Sequence, residues 1–371
     1  MHPDAIIIGG GIHGCSIAMH LAMHGAQVAV YEKDHVAAHA SGVNAGSVHH
    51  IARLTAELPL AELTLNMWQR IGELVDDDCG YRRVGHLKIA ESEEDLALLH
   101  QVASSVHRNS AIREEFLDRT DLRRAEPELA DHCVGGIYSP DCGYALPAAS
   151  VQAFRRKAES LGVIFHESAP VSNIARRDGR WHVDVPSGTV TSPVVVNCAG
   201  AWGDRIAALV GEPVSLTPLA LMLSVLGRLP RVMNTVIGLT HRLLSIKQFE
   251  NGTVVIGGGY RGTPDLERGI THLNYARLGY NLKAAAETFP ALERARVVRC
   301  WAGIEGRSPD GLPIIGPSAC HEGLWHAFAF STHGFFLGPA VGAVIAEWIR
   351  TGAPPVPMSG LAMARFQQSP S

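Results

Sequence analysis

"AIIIGGGIHGCSIAMHLAMHGAQVAVYEKD", residues 5–34, is the stretch that decides the fold. The apolar run at residues 5–8 is typical of a buried parallel strand, and Gly9, Gly11 and Gly14 follow it in the G-x-G-x-x-G spacing. The first glycine permits a tight turn, the second lets the backbone approach a pyrophosphate, and the third lets the next helix pack on the strand. The pattern predicts a dinucleotide-binding strand, turn and helix.

The residues after the turn complete this unit. The helix is expected to end at Gly25, and a second strand at residues 27–31 leads to Glu32. A carboxylate at that point accepts hydrogen bonds from ribose hydroxyls and would repel the extra phosphate of NADP. The alternative is a glycine turn without a ligand in an ordinary β-α-β unit. The order of strand, turn, helix, strand and acid favours a bound dinucleotide.

Composition excludes several classes of protein. The chain has 371 residues, 46% of them hydrophobic, and a formal net charge of -4, so it lacks the positive charge that binds nucleic acid or anionic lipids. No apolar run reaches the roughly 20 residues that span a bilayer, and the first residues show neither a basic n-region nor a cleavage site, so no signal peptide is expected. Seven cysteines form no CxxC pair and the histidines form no HExxH motif. We therefore expect a soluble cytoplasmic protein without a metal site, a nucleic-acid partner or a transmembrane segment.

The segment after the first unit does not continue as a nicotinamide-binding domain. Such a domain would add strand-helix repeats of about 30 residues each. Instead a turn-rich segment, ASGVNAGSV at residues 40–48, precedes a helix predicted at residues 58–75. Another helix is expected from an N-cap at Ser92 to residue 108. The strand-helix pattern returns later, with a helix at residues 148–161 and strands at 163–166, 181–185 and 194–197.

Five motifs occur in a fixed order along the chain: IIIGGGIHG (6–14), ASGVNAG (40–46), VVVNCAGAW (194–202), WAGIEGRSPDGLPIIG (301–316) and HGFFLGPAVG (333–342). In this order the chain resembles the D-amino-acid oxidase superfamily of FAD-dependent oxidoreductases. It is most similar to the glycine oxidase and sarcosine oxidase branch and to the β subunits of dye-linked opine, hydroxyproline and proline dehydrogenases. The resemblance implies non-covalent FAD and hydride transfer from the carbon beside the nitrogen of an amino acid or N-substituted amino acid.

The resemblance also implies the architecture. An α/β fold is expected, in which a Rossmann-like FAD-binding domain of the glutathione-reductase type is interleaved with a mixed-sheet α+β substrate domain. The FAD-binding domain would comprise residues 1–80, 148–212 and 300–371. The substrate domain would comprise residues 81–147 and 213–299.

By position in these motifs, a set of residues is expected to contact FAD. Apart from the glycines and Glu32, each could instead be a packed loop residue. The set consists of Gly9, Gly11, Ile12, His13, Gly14, Glu32, Lys33, Ser41, Asn44, Ala45, Gly46, Ser47, Val171, Ala199, Gly200, Trp202, Gly303, Gly334, Phe335, Phe336, Leu337 and Gly338.

The last motif carries the chemistry that the resemblance implies. Its helix would begin near Gly334 with its N-terminus toward the flavin, where a positive helix end stabilises developing negative charge. His333 would act as a base or would only cap the turn. His49, in the pair His49-His50, would contact substrate or flavin, or would be a loop residue.

Glu305 is where the chain departs from its relatives. Glycine oxidase-like proteins usually carry an arginine two residues after the glycine of this motif, and it pairs with the substrate carboxylate. Here Gly303 is followed by Ile304 and then Glu305. Either Glu305 recognises a cationic group such as a secondary amine or guanidinium, or it pairs with a neighbour such as Arg307. Other anchors for a substrate carboxylate would be Arg242, Lys247, Arg261 and Arg307.

Two further positions bear on how the flavin is attached and on which molecule accepts its electrons. Cys300 lies near the place where sarcosine oxidase attaches its flavin, but the spacing differs. The strand GTVVIGG (252–258) lacks the lysine that sarcosine oxidase uses to promote reaction with oxygen. This favours a dehydrogenase that passes electrons to a quinone, a dye or a partner subunit, rather than to O2. The alternatives are a flavin dehydrogenase of 2-hydroxy acids and a catalytic subunit of a heteromeric dehydrogenase.

Overall fold

The computed structural model describes residues 2–50, 55–106 and 113–366. The helices are α1 (Ile12–Met23), α2 (Ala40–Val43), α3 (Leu58–Gln69), α4 (Ile71–Val75), α5 (Glu93–Val106), α6 (Arg119–Ala125), α7 (Pro147–Ser160), α8 (Gly203–Ala208), α9 (Tyr275–Thr288) and α10 (Gly334–Thr351). The strands are β1 (Ala5–Ile8), β2 (Val28–Tyr31), β3 (Ser47–Val48), β4 (His86–Ala90), β5 (Glu115–Leu117), β6 (Gly135–Ser139), β7 (Gly143–Tyr144), β8 (Ile164–His166), β9 (Asn173–Arg177), β10 (Arg180–Val185), β11 (Gly188–Ser192), β12 (Val194–Asn197), β13 (Thr217–Leu226), β14 (Val236–Leu239), β15 (Ser245–Gln248), β16 (Val254–Gly257), β17 (Arg261–Asp265), β18 (Ile270–His272), β19 (Val297–Arg307), β20 (Ile314–Pro317) and β21 (Leu324–Phe328).

The first sheet has the order β20-β21-β12-β1-β2-β8, and its strands are parallel except for β20. Its central strand β1 is apolar at every position because both faces are covered. Ile7 packs with the helices on one face, and Ile6 and Ile8 pack with Trp181 on the other. Since β2 and β12 lie on opposite sides of β1, the crevice beyond its carboxyl end is the switch point where such sheets bind ligands.

The second sheet is mixed and follows the order β18-β17-β13-β16-β15-β14-β4-β6-β5, with β19 paired to β13. One face carries an apolar core that includes Leu87, Ile246 and Ile256 and packs against Phe289, the residue after α9. The strand β19 runs through residue 300 and pairs with β13 from end to end. The pairing between β13 and β19 ends only at Arg307. The second sheet therefore extends about seven residues beyond residue 300, where the domain boundary was expected.

Helix α10 lies directly against α1. A Cβ added to Gly338 would be 2.6 Å from Ile12 Cγ1, and one added to Gly342 would be 2.0 Å from Ser16 Oγ. Residues 338 and 342 lie on one face of α10 because they are four apart. The absence of side chains at these two positions lets the helices approach each other.

Pro339 interrupts the backbone hydrogen bonding of α10, and α3 supplies replacement partners. Proline has no N–H to donate and pushes away the preceding turn of its helix. Trp68 Nε1 donates to the carbonyl of Phe336 at 2.8 Å, and Thr64 Oγ1 accepts from the backbone N–H of Ala340 at 3.3 Å. The first turns of α10 are thus held by side chains of α3.

Several expected elements are confirmed and one differs. The α/β class with a mainly parallel first sheet is confirmed, and Ser92 accepts a hydrogen bond from the N–H of Asp95 at the start of α5. The end expected for this helix at residue 108 lies outside the described residues. The helix expected at residues 58–75 is two helices, because the backbone leaves helical geometry at Arg70 (φ -117°, ψ 25°). In the described part of the chain, no helix is both long enough and apolar enough to cross a membrane.

Gly342→Ala tests the contact between α1 and α10. The new methyl would overlap Ser16, including its backbone, so we expect the free energy of unfolding to fall by about 1–3 kcal/mol. Gly279→Ala in α9 is the control, because that position is open and alanine favours a helix there by up to about 1 kcal/mol. Urea denaturation of both variants measures the difference, and equal stabilities would contradict the close contact.

Candidate active site

A cavity of about 560 Å³ lies between the two sheets, beyond the carboxyl ends of β1, β2 and β12. Most of the residues singled out from the sequence line it: Gly9, Gly11, His13, Glu32, Lys33, Ser41, Asn44, Ala45, Gly46, Ser47, His49, Val171, Ala199, Gly200, Trp202, Gly303, Glu305, His333, Gly334, Phe335 and Phe336. Ile12, Gly14, Leu337 and Gly338 do not. Ile12 and Gly338 face each other in the helix contact, and a Cβ on Gly14 would lie 1.9 Å from the carbonyl oxygen of Gly9.

The glycine turn forms a cradle at the start of α1. Gly9 has φ 109°, and a Cβ there would meet the carbonyl oxygen of Cys198 at 2.4 Å. A Cβ on Gly11 would lie 2.8 Å from Ser41 Oγ, which accepts from the N–H of Ile12 at 3.0 Å. Because these positions lack side chains, the turn fits against Cys198 and Ser41 and leaves its backbone facing the cavity. The N-terminus of α1 presents its N–H groups and positive dipole end to the same space.

His13 lies between the N-termini of α1 and α10. Its ring stacks on Phe330 with centroids 3.5 Å apart and planes 3° apart. Burial lowers the pKa of His13 to about 3, although a hydrogen bond with the backbone of Gly334 acts to raise it. The ring is therefore neutral near pH 7. Its buried Nε2 has no partner among the described residues. A buried polar atom beside a helix N-terminus is what a bound phosphate or flavin oxygen would satisfy.

Glu32 is fixed at the far end of the cavity. One carboxylate oxygen accepts from the N–H of Gly10 at 2.6 Å, and the other accepts from the N–H of Asp34 at 2.9 Å. Each oxygen keeps a lone pair that can accept from a ribose hydroxyl. Beside it, Lys33 Nζ lies 4.0 Å from the ring centroid of Trp202 and pairs with Asp34.

His333 meets a buried carboxylate at the start of α10. Its Nδ1 is 2.9 Å from Oε2 and 3.0 Å from Oε1 of Glu57, whose side chain is fully buried. Glu57 ends the 3₁₀ turn Thr55–Glu57. The imidazole makes no capping hydrogen bond to α10, so capping is not its role. Instead, Glu57 orients a half-buried histidine that faces the cavity.

Glu305 lies on β19 and also faces the cavity. One carboxylate oxygen accepts from the backbone N–H of Thr332, and no ion pair joins Glu305 to Arg307 among the described residues. Loss of water around the carboxyl raises the pKa of Glu305 to about 7. The hydrogen bond from the Thr332 N–H favours the charged form and lowers the pKa, but burial has the larger effect. Pairing with Arg307, one of the two expectations from the sequence, does not occur.

The histidine pair separates into two environments. His49 lines the cavity and stacks on His86 at 4.2 Å. His50 is buried, 2.8 Å from Ser139 Oγ and 3.4 Å from the carboxylate of Glu114. Burial lowers the pKa of His50, but contacts with Cys142 and Glu114 outweigh it and raise that pKa to about 9. Only His49 can therefore meet a ligand in the cavity.

Residues 4–348 match the protein family described as "FAD dependent oxidoreductase" (DAO). The chain belongs to the DAO family. It is 30% identical over 366 aligned residues to glycine oxidase of Bacillus licheniformis, covering 93% of this chain and 92% of that protein. It is 25% identical over 397 residues to mitochondrial dimethylglycine dehydrogenase of Rattus norvegicus, covering 98% of this chain but only 45% of that protein. The fold matches the crystal structure of L-proline dehydrogenase from P. horikoshii with a TM-score of 0.92 at 22% identity, covering 99% and 98% of the two chains.

Membership of the DAO family makes the chain an FAD-dependent oxidoreductase, as the sequence indicated. The cavity fits the cofactor. The cradle at Gly9 and Gly11 suits a pyrophosphate, Glu32 suits a ribose, and the unpartnered His13 Nε2 suits a cofactor oxygen.

Cys300, the residue considered for covalent attachment, does not line the cavity. Its sulfur lies 3.3 Å from Ser224 Oγ, across the ladder between β13 and β19. The described residues hold no cluster of three or more histidine, cysteine, aspartate or glutamate side chains with metal-ligand geometry.

The candidate anchors for a substrate carboxylate are widely separated. Arg242 pairs with Glu91 and Glu287 at the surface, away from the cavity. Arg261 and Arg307 are exposed. Lys247 is fully buried on β15, with Nζ 3.2 Å from Ser47 Oγ.

Sequence reasoning missed several residues of the cavity wall. It also missed Glu57, which lies behind His333 rather than in the wall, because its role depends on a contact with a residue 276 positions away. Ser245 could have been found, since a serine two residues before a lysine in an apolar strand places both on one face. Further missed residues of the wall include Tyr31, His39, Cys198, Arg205, Leu221, Met222, Leu223, Gly258, Gly259, Phe330 and Thr332.

Glu32→Ala tests the cofactor end of the cavity. Loss of a carboxylate that accepts from ribose hydroxyls is expected to weaken FAD binding about 10- to 100-fold. Glu167→Ala is the control, because Glu167 also accepts a backbone N–H, from Val36 at 2.7 Å, but does not line the cavity. Titration of each apoprotein with FAD, followed by flavin fluorescence, measures the affinity. Equal losses in both variants would contradict the assignment.

Proposed function

We propose that this enzyme oxidises the C–N bond of an N-substituted amino acid, such as a secondary amine, to an imine that water then hydrolyses. The observation that carries the proposal is the carboxylate of Glu305 in the cavity wall, paired with no cation among the described residues. A carboxylate in a partly desolvated site attracts a cationic amine and repels a substrate carboxylate. The relatives' names cover glycine, dimethylglycine and L-proline, so substitution at nitrogen varies within the family.

Glu305 has a second task in this reaction. An amino acid arrives as an ammonium, and the nitrogen must lose a proton before its lone pair can form the C=N bond. A carboxyl whose pKa is about 7 is matched to that transfer near neutral pH. Glu305 would thus bind the cation and then accept its proton.

When bound, FAD supplies the acceptor for the hydride that leaves the carbon. The positive end of a helix dipole is fixed at the site by the fold. The N-terminus of α10 faces the cavity at Gly334, and His333 is held there by Glu57. Negative charge that develops in the site is stabilised by such prearranged groups without rearrangement of the protein.

The residues of β16 do not by themselves identify the final electron acceptor. That strand has no lysine, which favoured a dehydrogenase with a quinone, dye or partner subunit as acceptor. However, Lys247 on β15 pairs with Val255 of β16 and points to the same face of the sheet. Reoxidation of the reduced enzyme by air, by a quinone and by a dye distinguishes an oxidase from a dehydrogenase.

Glu305→Gln tests substrate recognition. We expect anaerobic bleaching of the flavin by N-methylglycine to become about 10- to 100-fold less efficient, because a charge-assisted contact is lost. Glu322→Gln at the surface, where Glu322 pairs with Arg176, is the control and should behave as the unmodified enzyme. The panel includes glycine, N-methylglycine, L-proline and lactate. Bleaching by lactate alone would favour the 2-hydroxy acid alternative, and an unchanged preference in Glu305→Gln would contradict the role of Glu305.

The pH dependence gives an independent check. Glu305 is neutral below its pKa of about 7 and anionic above it, so flavin reduction by a cationic amine should rise tenfold per unit as pH approaches 7 and then level off. Glu305→Gln should lack this rising limb. Stopped-flow reduction rates between pH 5 and 9 measure it. A limb that persists in the variant would assign the titration to another group.

A further inference from the structure

A hairpin of the second sheet reaches the cofactor end of the cavity. Its strands β17 and β18 pair in antiparallel fashion, and residues 266–269 form the turn at its tip. Only Arg261 and Gly262 of this hairpin pair with β13, so the rest of it has no ladder partner in that strand. We call residues 261–272 the strap.

The strap leaves the sheet at two glycines. Residues 257–260 stand opposite only residues 222 and 223 of β13, so the segment before the strap bulges out of the ladder. Gly258 and Gly259 lie in this bulge with φ 123° and 109°, a region of backbone conformation that favours glycine. Both glycines also line the cavity. The bulge therefore provides a hinge between the sheet and the strap.

The tip of the strap contacts two side chains of the cavity wall. The carbonyl of Leu266 accepts a hydrogen bond from Trp202 Nε1 at 3.0 Å, and the carboxylate of Glu267 pairs with Arg205. Trp202 and Arg205 line the cavity, whereas Leu266 and Glu267 do not. The strap therefore supports this part of the wall from behind.

The same tip covers a stack of wall side chains beside Glu32. Lys33 Nζ lies 4.0 Å from the ring centroid of Trp202, and the ring centroid of His39 lies 4.6 Å from it. A Cβ on Gly269 would be 3.5 Å from both Lys33 Nζ and His39 Cε1, so the backbone of the strap lies directly against them. This part of the wall borders the place where Glu32 suits a ribose of FAD.

Little holds the strap in this position. None of residues 261–270 is buried, and none belongs to an apolar core. Thr271 Oγ1 adds a hydrogen bond to the carbonyl of Ala302 at 3.3 Å. A two-stranded hairpin without a core is marginally stable by itself, and segments with few buried apolar contacts open at a low cost in free energy.

We propose that the strap closes the cofactor end of the cavity, and that its movement on Gly258 and Gly259 admits and releases FAD. The strap is partly exposed, so only it and one layer of side chains separate this end of the cavity from solvent. The side formed by β1 and β12 cannot open in this way, because these strands lie within the first sheet and pack into its cores. The strap acts on the cofactor and does not depend on which substrate Glu305 binds.

Replacement of residues 266–269 by Asn-Gly tests the strap. A two-residue turn keeps the pairing of β17 with β18 but removes the contacts at the tip. Release of FAD, followed by exchange against excess 5-deazaFAD, should become about 10-fold faster. Uptake of FAD by the apoprotein, followed by flavin fluorescence, should also become faster, because neither step waits for the strap to move.

The two rates together separate a moving strap from a static wall contact. Loss of a static contact would speed release and leave uptake unchanged, and that result would overturn the proposal. Unchanged rates in both directions would overturn it as well.

Glu267→Gln is a second, milder variant that keeps the length of the chain. Loss of the ion pair with Arg205 should speed FAD release about two- to fivefold. Glu322→Gln is the matched control, because it breaks a similarly exposed pair with Arg176, and it should release FAD at the unmodified rate. Salt screens ion pairs, so the unmodified enzyme and the control should respond more strongly to ionic strength than Glu267→Gln. Equal release rates and equal salt responses in all three proteins would contradict the role of the strap.

Discussion

The close contact between α10 and α1 is the constraint on which the site depends. Gly334, Gly338 and Gly342 repeat every four residues and face His13, Ile12 and Ser16 in turn. With side chains at these positions, the helices would separate and their N-termini would no longer open into one cavity. The phosphate-binding turn and the flavin-side helix are therefore parts of a single packing arrangement.

The charges around this cavity are set by burial. Water is largely excluded, so each ionisable group either finds a partner or changes its pKa. The buried carboxylate of Glu57 pairs with His333, whereas Glu305 and Lys247 have no ionic partner among the described residues and have pKa values shifted toward neutrality. Under the proposed function, a cationic amine bound in the cavity would supply the partner that the Glu305 carboxylate lacks.

Local parts of this arrangement were predictable from the sequence. The strand, turn and helix at residues 5–23, the carboxylate at Glu32 and the family follow from motifs in which neighbouring residues determine the structure. The contact between Glu57 and His333 and the proximity of Lys247 to Ser47 did not follow, because they join segments 276 and 200 residues apart. The end of β19 beyond residue 300 likewise depends on its register with β13, which no local pattern encodes.

The visible absorption spectrum of the purified chain, before and after acid precipitation, tests the central claim that the junction of α1 and α10 holds FAD. The structure predicts the two-band spectrum of an oxidised flavin at about one FAD per chain, with the colour released to the supernatant because Cys300 lies outside the cavity. A chain that stays colourless after incubation with FAD would contradict the account, and colour retained in the pellet would contradict non-covalent binding.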